Sequence, residues 1–192
     1  MEKWIAFYEQ FFSSTNATKA FVGELEAITD STMTKHRAKI MMHQVQRLIS
    51  LADDIIKVSG ERESLQLLFV LICAENIAKL FHNFIDDGQS KAFVHKFFSE
   101  FVIGDDRDAL ENSFFTHDLK PLNLHDTVDI LYSIRCDVVH DGLYWGFHFQ
   151  SGNIFMLNTD PDIIVKITFA EFRAIVVRAC IRAIKTYAAK SP

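Results

Sequence analysis

Residues 61–86, ERESLQLLFVLICAENIAKLFHNFID, decide the fold class. A helix built from this stretch is apolar on almost every side, and only Glu75 and Asn76 interrupt its apolar middle. A helix that is apolar all round is buried, because a surface helix presents one polar face to water. The stretch therefore predicts a helix in the middle of a helical bundle, ending near Gly88. Its most apolar run, residues 67–74, is shorter than the roughly 20 residues that cross a bilayer, so we expect no membrane span.

Helical periodicity continues on the amino-terminal side of this stretch. Apolar residues at intervals of three and four predict two short helices within residues 4–28. A long third helix is expected to begin at Ser31 or Thr32, which cap helices well, and to stop at Gly60.

On the carboxyl-terminal side a Phe-rich helix is expected around residues 93–101, followed by an irregular, acidic segment at residues 104–124. Asp126 or Thr127 then begins another amphipathic helix, and Gly142 is its predicted end.

The period of the pattern changes after this helix. Residues 143–150 alternate between apolar and polar side chains, and residues 154–157 and 163–167 are the next two apolar runs, so three strands are predicted. Thr168 and Glu171 have the spacing of a capping box, which predicts a last helix from about residue 169 to residue 189. The expected fold class is mainly α: an up-down helical bundle with a small antiparallel hairpin or three-stranded element before the last helix.

Composition limits the class of protein. The chain has 192 residues, 49% of them apolar, with 18 Phe, seven Gly and three Pro, which excludes disordered and collagen-like chains. Because the sequence contains no repeats or linkers, we expect a single domain over residues 1–192. Residues 1–60 are the expected amino-terminal helical extension, and residues 61–192 are the expected core. Three Cys without paired spacing and the absence of a signal-peptide pattern predict a cytoplasmic protein with free thiols. The net charge of −5 requires any nucleic acid to meet a local basic surface.

Residues 131–142, LYSIRCDVVHDG, are the segment with catalytic potential. Arg135 and His140 stand five positions apart at the end of the predicted helix. Imidazole takes and gives a proton near neutral pH, and guanidinium is a fixed cation that can stabilise a phosphorane. Side chains five positions apart on an ideal helix point in directions that differ by about 140° about the helix axis. The two side chains therefore converge only if the helix ends near His140 or if a partner subunit completes the site.

This segment resembles the R-x4-6-H signature of the HEPN superfamily, whose members are helical bundles. The resemblance implies a metal-independent endoribonuclease of toxin or defence type, in which two motif helices meet across a homodimer. It implies that Arg135 and His140 are the catalytic pair, that RNA is the substrate and that no cofactor is needed. For a toxin, the resemblance also implies an antitoxin protein as a partner. Many members have a polar residue directly after the Arg, where this chain has Cys136. The alternative is a non-catalytic dimerisation, nucleotide-binding or partner-binding module of the same fold.

Four further residues are candidates for supporting roles. Asp137 either orients His140 or is a solvated acid, and Tyr132 either contacts substrate and Arg135 or is a core residue with a solvated hydroxyl. Glu75 and Asn76 either line a polar pocket that faces the motif helix or form a buried hydrogen bond that holds the packing.

Basic and histidine residues elsewhere are considered as RNA-binding and metal-binding groups. Arg178, Arg182 and Lys185 lie at i, i+4 and i+7 on the last helix and either guide an RNA backbone or complement the helix dipole. His82 and His95 lack the spacing of metal ligands, so we expect no metal site.

Overall fold

The computed structural model describes residues 1–28, 33–58, 62–150, 156–157 and 163–190. Within these residues the chain forms eight α-helices and a three-stranded antiparallel sheet, so the prediction of a mainly helical bundle with a small β element is confirmed. The helices are α1 (Glu2–Tyr8), α2 (Thr15–Glu26), α3 (Met33–Val58), α4 (Glu63–Phe81), α5 (Ser90–Phe101), α6 (Asp105–Glu111), α7 (Leu124–Cys136) and α8 (Phe169–Ala189). The strands are β1 (Phe114–Thr116), β2 (Met156–Leu157) and β3 (Ile163–Val165).

Helix α4 is the centre of the bundle. It packs against α3, α5, α7 and α8, as expected for a helix without a polar face. Among the helices of the described residues, only α4 is long and apolar enough to suit a membrane span. Over half of that stretch is buried inside the bundle, which is also the pattern of a core helix in a soluble protein.

The amino-terminal helices share the core of the other helices. Tyr8 at the end of α1 is fully buried, and its hydroxyl donates a hydrogen bond to the carbonyl oxygen of Met42 on α3 at 2.7 Å. Burial raises the pKa of Tyr8 well above its usual value, so this phenol stays protonated. One continuous apolar cluster extends from Phe7 on α1 to Tyr187 on α8. The described part of residues 1–60 therefore contributes directly to the main core.

The sheet differs from the predicted one in its first strand. The strand order is β1-β3-β2, and β1 lies within residues 104–124, which the sequence pattern assigned to an irregular segment. That segment also contains α6. A three-residue strand and a seven-residue helix are too short to show a clear period, which is why the pattern missed them.

The strand predicted at residues 143–150 is wrong, because this segment is irregular. Phe147 and Phe149 both point into the core, where their ring centroids lie 4.9 Å apart. The backbone N–H of Phe149 donates to the Glu63 carboxylate at 2.6 Å. Alternating burial therefore reflects two anchored rings in a segment that forms no strand. The described part of the second predicted strand is β2, and β3 corresponds to the third.

Local capping chemistry sets some of the helix ends, whereas α4 ends at Phe81 and not near Gly88 as predicted. Helix α7 begins earlier than expected, because the Asn123 side chain accepts a hydrogen bond from the Asp126 N–H at 2.9 Å. At its other end Gly142 has a φ of 67°, the left-handed conformation expected of a glycine stop. The predicted cap at Ser31 or Thr32 and the stop at Gly60 lie outside the described residues.

The capping box that begins α8 is confirmed. Thr168 Oγ1 accepts from the Glu171 N–H at 3.2 Å, and the Thr168 N–H donates to the Glu171 carboxylate at 2.9 Å. We expect Thr168→Ala to lower the free energy of unfolding by about 1 kcal/mol. Thermal denaturation should then show a Tm lower by about 2–4 °C. Thr186→Ala, an exposed site on the same helix, is the matched control. Equal Tm values for the two variants would contradict this role of Thr168.

Candidate functional site

Three of the candidate residues meet between α7 and α4. The Arg135 guanidinium lies 3.7 Å from the Glu75 carboxylate, and both side chains are largely buried. Arg135 Nη1 also lies 3.5 Å from the Tyr132 hydroxyl, with the guanidinium carbon 5.2 Å from the centre of the Tyr132 ring. Burial raises the pKa of Tyr132, so its hydroxyl remains protonated at neutral pH. The arrangement holds the guanidinium on the α4 side of the motif helix.

Glu75 has two further partners that the sequence analysis did not name. Its Oε1 atom lies 2.8 Å from Lys79 Nζ and accepts a hydrogen bond from Ser90 Oγ at 2.7 Å. We call Glu75, Lys79, Ser90, Tyr132 and Arg135 the Glu75 cluster. Lys79 stands four residues after Glu75 on α4, a spacing that was visible in the sequence. Ser90 comes from α5, and only the packing of the helices brings it here.

The Glu75 cluster carries an excess of positive charge. Two cations, Lys79 and Arg135, share the single carboxylate of Glu75, which leaves one positive charge uncompensated within the cluster. A guanidinium in a cluster with an excess of positive charge is a favourable partner for an anionic oxygen. Asn76, the other polar residue of the α4 middle, is half-buried and forms no side-chain hydrogen bond to this cluster.

His140 lies in a widened turn at the end of α7. Residues Asp137–Asp141 form a π-helical turn, and the Asp137 carbonyl accepts from the N–H groups of Gly142 and Leu143. Hydrogen bonds in a π turn join residues five apart, so each residue turns through a smaller angle about the helix axis than in an α-helix. The angle between the Arg135 and His140 side chains is therefore smaller than the roughly 140° of an ideal α-helix. Such turns are frequent at functional sites.

The His140 side chain is exposed and has no hydrogen bond or ion pair within the described part of the chain. Asp137, predicted either to orient His140 or to be a solvated acid, is half-buried and forms no hydrogen bond or ion pair with it. One copy of the chain therefore presents a free imidazole and a partly buried guanidinium without closing a pocket around both.

A cavity of about 380 Å³ lies on the other side of the motif helix. Its walls are mostly apolar, and its polar groups come from Ser64, Ser133 and Asp137. The Ser64 hydroxyl donates to the Phe147 carbonyl oxygen at 3.3 Å. Trp145 stands at the cavity with 52% of its surface exposed. The volume is within the range of small-molecule sites, and Arg135 does not line it.

The basic residues of α8 are engaged with neighbouring elements. Arg178 and Arg182 both form ion pairs with Asp106, a largely buried acid on α6, and the Arg178 Nε–Oδ1 distance is 2.8 Å. Lys185 lies 4.7 Å from the centre of the Phe12 ring. These contacts favour a structural role for Arg178 and Arg182 over the guidance of an RNA backbone.

We expect Asp106→Ala to lower the free energy of unfolding by about 2 kcal/mol. Removing one partner of a fully buried ion pair costs about 3–5 kcal/mol. The cost is smaller here because the Arg178 side chain is 42% exposed and water can hydrate it. Urea unfolding measures the effect, with Glu111→Ala as the control because it breaks the more exposed Arg107–Glu111 pair. The structural role is contradicted if the two variants unfold at the same urea concentration.

One group of metal-ligand side chains occurs among the residues that the structure describes: His95 on α5 with His125 and Asp129 on α7. Lys91 also contacts Asp129, and its hydrogen bond lowers the pKa of that carboxyl. His125 and Asp129 stand at i and i+4, a signal that was present in the sequence. The approach of His95 depends on the packing of α5 against α7.

The candidate site is thus the Glu75 cluster together with the exposed His140 of the π turn. No protein-family model matches the chain, and searches of curated proteins and of solved structures find no similar protein. The function must therefore be inferred from the chemistry of these residues themselves.

Proposed function

We propose that the chain is a HEPN-like, metal-independent endoribonuclease that uses Arg135 and His140. One observation carries the proposal. An exposed, unpaired imidazole lies on a π turn, five residues after an arginine whose cluster holds an uncompensated positive charge. These are the two groups that cleavage by a ribose 2′-hydroxyl requires.

The roles follow from the properties of the two side chains. His140 removes the proton of the 2′-hydroxyl, whose oxygen attacks the adjacent phosphorus. Arg135 stabilises the charge that grows on the non-bridging oxygens. The bond from phosphorus to the 5′-oxygen breaks, and protonated imidazole returns a proton to that oxygen. The products are a 2′,3′-cyclic phosphate and a 5′-hydroxyl.

The proposed active form is a homodimer. Arg135 is held toward α4 while His140 is exposed, so a second motif helix would supply the groups that complete a pocket. Val139 and Leu143 on either side of His140, together with Trp145, are exposed apolar side chains. An apolar surface of this kind favours contact with a protein, here a second copy of the chain. An antitoxin that covered the same surface would block the site.

The alternative function is binding of a nucleotide without cleavage. The cavity beside Asp137 favours it, because an apolar pocket with an exposed Trp145 at its mouth suits a planar base. Calorimetric titration with nucleoside monophosphates tests this alternative, and Trp145→Ala should then weaken the binding.

Incubation of the purified chain with structured and unstructured RNA, with and without a metal chelator, tests the nuclease. We expect cleavage under both conditions and products that end in a 2′,3′-cyclic phosphate. The same RNA with 2′-deoxyribose at the cleaved positions should remain intact. If the wild-type chain cuts no RNA, or cuts only with added metal, the proposed function is wrong.

A further inference from the structure

Two imidazoles and one carboxylate converge on the surface where α5 meets α7. His95 Nε2 lies 2.6 Å from Asp129 Oδ1, and His125 Nδ1 lies 4.0 Å from Asp129 Oδ2. The ring centroids of His95 and His125 are 4.5 Å apart. The ligand atoms of the three residues all lie within 4.8 Å of one another. All three side chains stand on helices, so the backbone already holds them close together.

These distances are close to those of a metal site. Zinc binds imidazole nitrogen at about 2.0–2.1 Å and carboxylate oxygen at about 2.0–2.2 Å, which places tetrahedral ligand atoms roughly 3.4 Å apart. The distances from Asp129 oxygens to His95 Nε2 (2.6 Å) and to His125 Nδ1 (4.0 Å) fall on either side of that value. The His125 side chain is 71% exposed and can rotate without disturbing the core. A change of side-chain torsions is therefore sufficient to adopt ligand geometry.

We propose that His95, His125 and Asp129 bind a divalent transition-metal ion, with Zn²⁺ as the expected occupant and water in the fourth position. Two imidazoles and one carboxylate are a set of ligands that Zn²⁺ binds in proteins, whereas Mg²⁺ and Ca²⁺ prefer sites built from oxygen alone. Since α5 and α7 supply the ligands, the ion would link the two helices. This site is separate from Arg135 and His140, and the proposal does not depend on RNA cleavage.

Lys91 competes with the ion for Asp129. Its Nζ atom lies 2.9 Å from Asp129 Oδ1, and its side chain is 54% exposed. The ammonium group can turn into water when a metal binds, because its other surroundings do not hold it. Removal of this positive charge should therefore increase the affinity for the metal.

Titration of chelator-stripped protein with Zn²⁺ by calorimetry, and with Co²⁺ by visible absorption, tests the proposal. We expect one ion per chain, with the Co²⁺ spectrum of a four-coordinate nitrogen and oxygen site. His125→Ala and Asp129→Asn should each weaken binding by at least about 100-fold, and Lys91→Ala should strengthen it by about tenfold. Zn²⁺ at 100 times its Kd should raise the Tm of the wild-type chain by about 5 °C or more.

His82→Ala is the matched control. His82 contacts Glu100 at 2.9 Å, the same kind of pair as His95 with Asp129 but without a third ligand within the described residues. This variant should bind Zn²⁺ as the wild-type chain does. The proposal is overturned if no ion binds at a ratio of one per chain, or if His125→Ala and Asp129→Asn retain wild-type affinity.

Discussion

Replacement of His140 by alanine should reduce the rate of RNA cleavage by at least about 100-fold. A positioned general acid and base contributes about 10² to 10⁴ in rate, and within the described residues no other histidine lies on the motif turn to replace it. Because the His140 side chain is exposed and makes no contact that holds the fold, the variant should keep the wild-type Tm. Single-turnover cleavage in chelator measures the rate, and circular dichroism measures the Tm.

Replacement of Arg135 should reduce the rate of RNA cleavage by a similar factor, and a lysine variant separates the role of the charge from that of the guanidinium geometry. Arg135→Ala removes the guanidinium and is expected to cost about 10² to 10³ in rate, as does loss of an oxyanion-stabilising donor in other enzymes. Arg135→Lys keeps the charge and loses the bidentate geometry, so its rate should lie between those of the alanine variant and the wild type. In the Arg135→Ala variant, Lys79 remains as the cation that pairs with the Glu75 carboxylate.

His117→Ala is the control for both variants, since His117 is exposed and lies outside the motif helix. It should cleave RNA at the wild-type rate. Cleavage at wild-type rate by both His140→Ala and Arg135→Ala would refute the assigned site, even if the chain is a nuclease.

Phe149→Ala should lower the free energy of unfolding by about 3–5 kcal/mol, the cost of deleting a buried Phe side chain. Phe149 is fully buried although it belongs to an irregular segment. Its ring centroid lies 4.9 Å from that of Phe147 and 5.3 Å from that of Phe172 on α8. The deletion would leave a cavity between this segment and α8. Thermal denaturation should show a Tm lower by roughly 10 °C.

Trp145→Ala in the same segment is the comparison. Because 52% of the Trp145 surface is exposed, its loss should change the free energy of unfolding far less. Equal Tm values for the two variants would show that Phe149 does not anchor residues 143–150. The explanation given above for the alternating pattern of this segment would then be wrong.

Some features of the candidate site were evident in the sequence. Gly142 predicted the end of the motif helix, and Glu75 in an apolar helix predicted a buried polar group in need of a partner. The identity of the partners was not evident, because Arg135 and Ser90 come from other helices. The π turn was also unforeseen, since its widened hydrogen bonds depend on how the end of α7 meets the loop that follows.

Local chemistry determined the central helix α4, the capping box of α8 and the fold class, because periodicity and caps depend on residues within a few positions of one another. Only the tertiary structure decided that residues 143–150 form no strand, that Asp106 holds Arg178 and Arg182, and that His95 meets Asp129. Each of these outcomes depends on which helix packs beside which. Contacts between residues distant in the chain leave no periodic signal in the sequence, and for that reason they emerge only when the chain is folded.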